Sequence, residues 1–481
     1  MMNSIFIYSI VIIIYIFILL IIGFISGKKT KDASDFYLGG RNIGPWVTAL
    51  SYVAAYFSSV VIIGGGGFGW LYGMSTLWIG SINVFLGTTI CWIVLGPRMR
   101  RMTHKLNSMT IPDFLKKRYD SDFVLIFSSI VIAIFLIVYN VSMLKGMGHI
   151  FEILIGIPYI YGLLISSLII LFYVSIGGYI AVVWTSFIQA WIMGLGLILL
   201  TIFTLKNVGG ISNAAIELAN INKGFVETPG VWGWQGLITY ALIVSFGVWG
   251  MPQMLVRFYS IKKMSFFKIG TPIATIGTCL ALLPYLNGAL SRILFPSLKN
   301  PDLAIPLLVK NVLNPFGSSV FLAAVLAAGM STFSSVLIII TGSVVKDFLK
   351  DGLKIKYDEK RLVFLSKITT LIVGLISIIL AIKPPALILT LTAFSWAIIS
   401  STTLWPVFFG LYSKWVTKTG VISSMITGFL VSLIWMALKK PFGIHGFIPG
   451  IISGLITITI VSLFTKKYDN DFLEKIFKKE E

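Results

Sequence analysis

Residues 51–67 read Ser-Tyr-Val-Ala-Ala-Tyr-Phe-Ser-Ser-Val-Val-Ile-Ile-Gly-Gly-Gly-Gly, inside an otherwise apolar run from 45 to 70. Small and hydroxyl-bearing residues followed by Gly64-Gly65-Gly66-Gly67 support a continuous helix poorly. Each glycine costs about 1 kcal/mol against alanine, and hydrocarbon satisfies no backbone group the helix leaves open. A second run, 234–256, carries a matching irregularity, Phe246-Gly247-Val248-Trp249-Gly250-Met251-Pro252. Pro252 has no N–H and crowds the preceding turn, which frees carbonyls around 247 and 248. Taken singly, either stretch is also what helix packing or a simple kink uses. As a pair they point to an inverted repeat with a binding site at its interrupted helices.

Outward from these two runs the chain is apolar almost throughout. Of its 481 residues 57% are hydrophobic and 12% charged, enough for roughly thirteen spans of about 20 residues. A soluble domain of this size cannot hide so much apolar surface, and a disordered chain does not carry it. The expected fold is an all-α polytopic membrane protein. Its spans lie near 4–26, 45–70, 75–96, 123–148, 159–176, 180–205, 234–256, 268–290, 319–342, 363–382, 386–411, 419–438 and 446–465. The interrupted runs are thus spans two and seven, five apart. Cys91 and Cys279 lie in apolar runs with no disulfide or metal-ligand spacing and read as packing residues.

The net charge is +20, but no polar domain gathers it into a nucleic-acid surface. Instead 29 of the 38 Lys and Arg residues fall in the alternate loops 28–44, 98–122, 257–268, 342–367, 412–419 and 466–481. Cytoplasmic loops carry such an excess, so the N-terminus is expected outside and the C-terminus inside. The first apolar run lacks a basic leader and reads as an uncleaved span.

No Asp or Glu lies inside a proposed span, whereas pumps and proton-coupled carriers usually keep a carboxylate at membrane depth. A phosphate-binding loop, which ATP-driven transport needs, is absent from the sequence, as are four-fold filter loops of a channel. No enzyme activity and no cofactor are expected. A driving ion must then be held by neutral oxygens. Span nine supplies Ala327-Ala328-Gly329-Met330-Ser331-Thr332-Phe333-Ser334-Ser335, with two adjacent hydroxyls and the Ala328 carbonyl. With carbonyls from an unwound span two, that set suits Na⁺. Such a Ser/Thr cluster also serves interhelical hydrogen bonding, and nothing in the residues alone brings spans two and nine together.

The chain resembles the sodium/solute symporter family, which includes carriers of proline, sugars, sialic acid and pantothenate. The likeness runs from about Ala33 to Phe464. It rests on Asp35-Phe36-Tyr37-Leu38-Gly39-Gly40-Arg41, on Gly177-Gly178-Tyr179-Ile180-Ala181-Val182-Val183-Trp184-Thr185, on Gly250-Met251-Pro252 with Arg257, and on Ala327 to Thr332. The resemblance implies a LeuT-type five-plus-five inverted repeat over 45–413, in halves of about 45–206 and 234–413. An extra helix and loop would occupy 1–44, two further helices 414–465, and a cytoplasmic tail 466–481. It also implies a sodium site from the carbonyls of Ala54, Phe57 and Ala328 with the hydroxyls of Ser331 and Thr332. Where the family commonly has Thr-Asp, this chain has Thr185-Ser186, which favours a single coupled ion.

For the solute, proline carriers present Asp where Tyr56 stands, and Trp and Tyr where Val244 and Val248 stand. Pantothenate carriers are similar in Ala54, Tyr56 and Ser58, in Phe246 to Pro252, and in Gly156-Ile157-Pro158-Tyr159. They are also similar in Pro301-Asp302-Leu303, Lys383-Pro384-Pro385 and Leu404-Trp405-Pro406-Val407. The substrate is therefore expected against Tyr56, Ser58, Phe246, Gly247, Val248 and Pro252. Lys145 either faces an outer vestibule or snorkels to the interface, and Trp249 either lines the pocket or packs on lipid. His104, His149 and His445, at loops or span ends, are not expected to bind metal.

The expected function is sodium-coupled import of a small carboxylate such as pantothenate across the plasma membrane. Proline, another amino acid or a monocarboxylate is the alternative within transport; a membrane sensor or a facilitative channel is the alternative outside it. Partners are the solute, Na⁺ and lipid, with no nucleic acid and no obligate protein.

Overall fold

A computed structural model describes residues 2–384 and 388–477, with side chains from Phe6 onward. Pro385, the first residues of span eleven at 386–387 and the tail end 478–481 lie outside the described residues. Among the described residues the chain is helical, with one isolated β-bridge joining Ile43 and Ile261.

Among the described residues eleven helices are long and apolar enough to cross a membrane. Tyr159–Asn207, at 49 residues, is about 73 Å of helix, more than twice the hydrocarbon thickness. Gly178 breaks it (φ 54°, ψ −148°), which yields spans five and six. The stretch Val60–Lys105 is likewise divided at Gly73 (φ 74°, ψ −154°), into the second half of span two and span three. With both divisions the described residues offer about thirteen candidate spans.

Span nine, Pro315–Thr341 continuing to Gly352, is the central helix. Its most apolar 18-residue stretch is fully buried, against 28% for the first span. It packs on spans four, five and six, and on Pro45–Tyr56, the first half of span two. Spans twelve (Lys418–Ala437) and thirteen (Phe447–Phe464) pair with each other and lean on span eleven, Ile388–Tyr412.

The glycine run does not break span two where its composition suggests. Gly65–Tyr72 is regular helix, and the break lies upstream at Phe57–Ser59. The glycines serve close packing against Leu282–Leu294 of span eight: a Cβ on Gly288 would stand 1.9 Å from Gly66 O, and one on Gly69 2.2 Å from Tyr285 O. Cys91 is packed inside, but Cys279 is exposed on the apolar surface.

Candidate functional site

The helical hydrogen-bond ladder fails just past Tyr56. Phe57 leaves the helix (φ −76°, ψ 77°), and the Ser58 N–H, which would close the turn onto Ala54 O, donates to Tyr56 O at 3.0 Å. Ala54 O is then open in a buried interior, where an unpaired carbonyl is costly. Ser331 Oγ donates to it at 2.8 Å, and Thr332 Oγ1 donates to Ala55 O at 3.1 Å. The same hydroxyls lie 3.0 and 3.2 Å from Ala328 O. Ala54, Ala328, Ser331 and Thr332 are all 0% exposed.

Four of the five expected sodium ligands therefore meet across 277 residues of sequence. The fifth, Phe57, sits at the same break, while the second hydroxyl bonds Ala55. A hydroxyl carries one proton and two lone pairs. A cation entering between the two helices can take the hydroxyl and carbonyl oxygens that now bond one another, with no carboxylate in the set. One turn further along span nine, Ser335 Oγ donates to Ser331 O at 2.7 Å and accepts from the buried Arg257.

Span seven breaks as its proline dictates. Helix runs over Gly233–Ser245, a tight turn covers Gly247–Gly250, and helix resumes at Pro252. The freed carbonyls are taken by hydroxyls of span eleven: Ser400 Oγ donates to Gly247 O at 2.6 Å and Thr403 Oγ1 to Gly250 O at 2.7 Å. Val248 O accepts the Met251 N–H at 3.0 Å.

Between the two breaks lies a cavity of about 30 Å³, room for about two waters. Tyr56 and Ser58 line it; Phe246, Gly247, Val248 and Pro252 do not, and Pro252 borders a separate small cavity with Tyr37 and Thr110. The remaining wall includes Asn83, Tyr139, Tyr285 and Trp396. These four have no motif around them, although Asn83 is a polar residue inside an apolar span and could have been flagged on that ground. Asn83 Nδ2 and Tyr56 Oη both donate to Val244 O, while Asn83 Oδ1 has no partner.

Other singled-out residues fall elsewhere. Lys145 does not snorkel; its Nζ lies 3.2 Å from Asp302 Oδ2, both buried. Trp249 is buried with Nε1 donating to Leu86 O at 3.1 Å, facing neither lipid nor the cavity. Ser186 Oγ is buried without a partner. Among the described residues no group of three His, Cys, Asp or Glu side chains is placed to hold a metal.

Residues 36–428 match the model of the sodium:solute symporter family. The chain is 34% identical to sodium/proline symporter 2 of Staphylococcus saprophyticus, with 98% of this chain and 96% of that protein covered. It is 32% identical to the osmoregulated proline transporter OpuE of Bacillus subtilis over 94% of each. Among solved structures it is similar to a Na⁺-coupled sialic acid symporter, with a TM-score of 0.84 at 19% identity, covering 96% of this chain and 98% of that one. It is also similar to Mhp1, a nucleobase-cation-symport-1 family transporter, with a TM-score of 0.58 at 14% identity over 93% and 99%. The curated relatives named here carry proline, so the pantothenate reading gains no support from them.

Proposed function

This chain belongs to the sodium:solute symporter family, and on that premise we propose that it imports Na⁺ and a small carboxylate-bearing solute together across the plasma membrane. The carrying observation is the junction of Ser331 and Thr332 with the opened carbonyls of Ala54 and Ala55. Na⁺ held there ties span two to span nine, orders the break and completes the wall formed by Tyr56 and Ser58. Solute affinity then rises with Na⁺ occupancy, and by linkage Na⁺ affinity rises by the same factor with solute. Release follows when the two repeats rock and the junction opens to the cytoplasm. The basic loops support an outside N-terminus.

Proline is the first solute to test, on the strength of the relatives. Among the cavity-lining residues no carboxylate stands ready for an ammonium group, which keeps a second reading in view: an anionic solute without free amine, such as pantothenate. The open Asn83 Oδ1 acceptor suits an N–H in either. A binding screen of the purified chain with and without Na⁺, across proline, pantothenate, other amino acids, monocarboxylates and sugars, decides between them. Na⁺-dependent binding of one carboxylate class supports the proposal. Binding of none, or binding indifferent to Na⁺, overturns it.

A further inference from the structure

A second cavity, of about 280 Å³, lies beside the central one and shares Tyr240 with it. Its size is near the lower end of small-molecule sites, about 300–1,000 Å³. One wall is aromatic: the Tyr72 and Trp232 rings stack at 4.2 Å with a 7° interplanar angle, and Phe68 packs edge-on to both. The lining also includes Lys440 and His445, from the hairpin between spans twelve and thirteen, with the His445 ring 6.0 Å from that of Tyr240.

That hairpin is built to present them. Lys439, Lys440 and Phe442 all hold positive φ, at 58°, 61° and 57°, a region non-glycine residues seldom enter and one that clusters at functional sites. The bend is fixed by Trp435 Nε1 donating to Ile444 O at 2.9 Å and by Lys440 N–H donating to Trp435 O at 3.2 Å. Among the described residues Lys440 has no ion pair. His445 is 2% exposed, and burial, with Lys440 nearby, pushes its imidazole down to about 3. A neutral ring whose Nδ1 accepts the Phe447 N–H at 3.4 Å carries its proton on Nε2. That N–H is buried with no acceptor. A cation-bearing residue and one with an orphan donor thus line the same cavity as the stacked rings.

We propose that this cavity is a second binding site, for an aromatic or alicyclic monocarboxylate whose carboxylate meets Lys440 and His445 and whose ring lies on Trp232 and Tyr72. It stands on the face that the basic-loop count assigns to the outside, so an occupant obstructs the approach to the central site past Tyr240. The site needs neither Na⁺ nor transport, and it stands or falls separately from the symport reading.

The test is equilibrium dialysis of radiolabelled 3-phenylpropionate with the full chain in lipid nanodiscs, in choline chloride without Na⁺. Saturable binding is expected, weakened at least tenfold in Lys440→Asn, a substitution that tolerates the left-handed backbone. His445→Phe keeps the ring and removes the donor, and it is expected to weaken binding likewise. 3-Phenylpropanamide, which lacks the charge, is expected to bind at least tenfold more weakly than the acid. Absence of saturable binding overturns the proposal. So does equal affinity for acid and amide, or undiminished affinity in both variants. Loss of binding in Tyr56→Phe, with Lys440→Asn unaffected, places the probe in the central cavity and overturns it too.

Discussion

Removing one hydroxyl from the span two–span nine junction has a magnitude that follows from its geometry. Ser331 Oγ donates to Ala54 O at 2.8 Å, a neutral bond worth about 1 kcal/mol. With Na⁺ bound the same oxygen coordinates a charge, worth about 1.5–3 kcal/mol. Ser331→Ala loses both, so the net change in Na⁺ affinity is about 0.5–2 kcal/mol, or roughly 2- to 30-fold. Thr332→Ala, whose hydroxyl meets Ala55 O at 3.1 Å, falls in the same range. The two share Ala328 O and are expected to be non-additive. Half-saturating Na⁺ is read from solute uptake into proteoliposomes with choline as replacement cation, and independently by equilibrium binding of radiolabelled Na⁺. Ser377→Ala is the control, because its hydroxyl bonds only Val373 O of its own helix at 2.9 Å. An unchanged Na⁺ dependence in the double variant would falsify the site assignment, as would an equal shift in Ser377→Ala.

Four further outcomes follow from contacts elsewhere. Lys145→Met removes the ion-pair partner of the buried Asp302 (side chains 10% and 5% exposed), which costs about 3–5 kcal/mol; thermal melts should show the double variant Lys145→Met with Asp302→Leu recovering most of it. Gly288→Ala drives a Cβ to 1.9 Å from Gly66 O, so the yield of folded protein should collapse, whereas Gly44→Ala, with open space around it, should fold normally. Ser400→Ala strips the donor from Gly247 O and should cost about 1–3 kcal/mol, measured by chemical denaturation, with Ser400→Thr retaining most of the stability. In the basic loop 98–122, burial pulls the Asp113 carboxyl upward, but Lys346, Lys117 and the Met109 N–H outweigh it and hold it low. Its contribution is therefore complete above the unfolded value of about 4 and lost as pH falls through the folded one; Asp113→Asn should flatten the acid limb of the melting profile.

What the sequence made legible follows from which interactions are local. Pro252 carries its consequence in its own ring, so the break in span seven was readable to within a few residues. The glycine run was not, because Gly66 and Gly69 answer to Tyr285 and Gly288 more than 200 residues away, and only the fold reveals that approach. Span nine's hydroxyls were visible as a cluster, but the choice of Ala54 and Ala55 as partners depends on Ser58 turning its N–H back onto Tyr56 O. The cavity wall of Tyr139, Tyr285 and Trp396 was invisible for the same reason: isolated aromatics in apolar helices are ordinary until packing aims three of them at one point.

A Na⁺ gradient alone is expected to drive the solute uphill through this chain. Proteoliposomes clamped at zero membrane potential, loaded without Na⁺ and diluted into NaCl, measure it directly with the solute identified in the binding screen. Transient accumulation above the external concentration is expected, abolished when Na⁺ is equal on both sides and sharply reduced in the Ser331→Ala, Thr332→Ala variant. Accumulation that persists with Na⁺ equalised, or equilibration that never exceeds the external concentration, would contradict it.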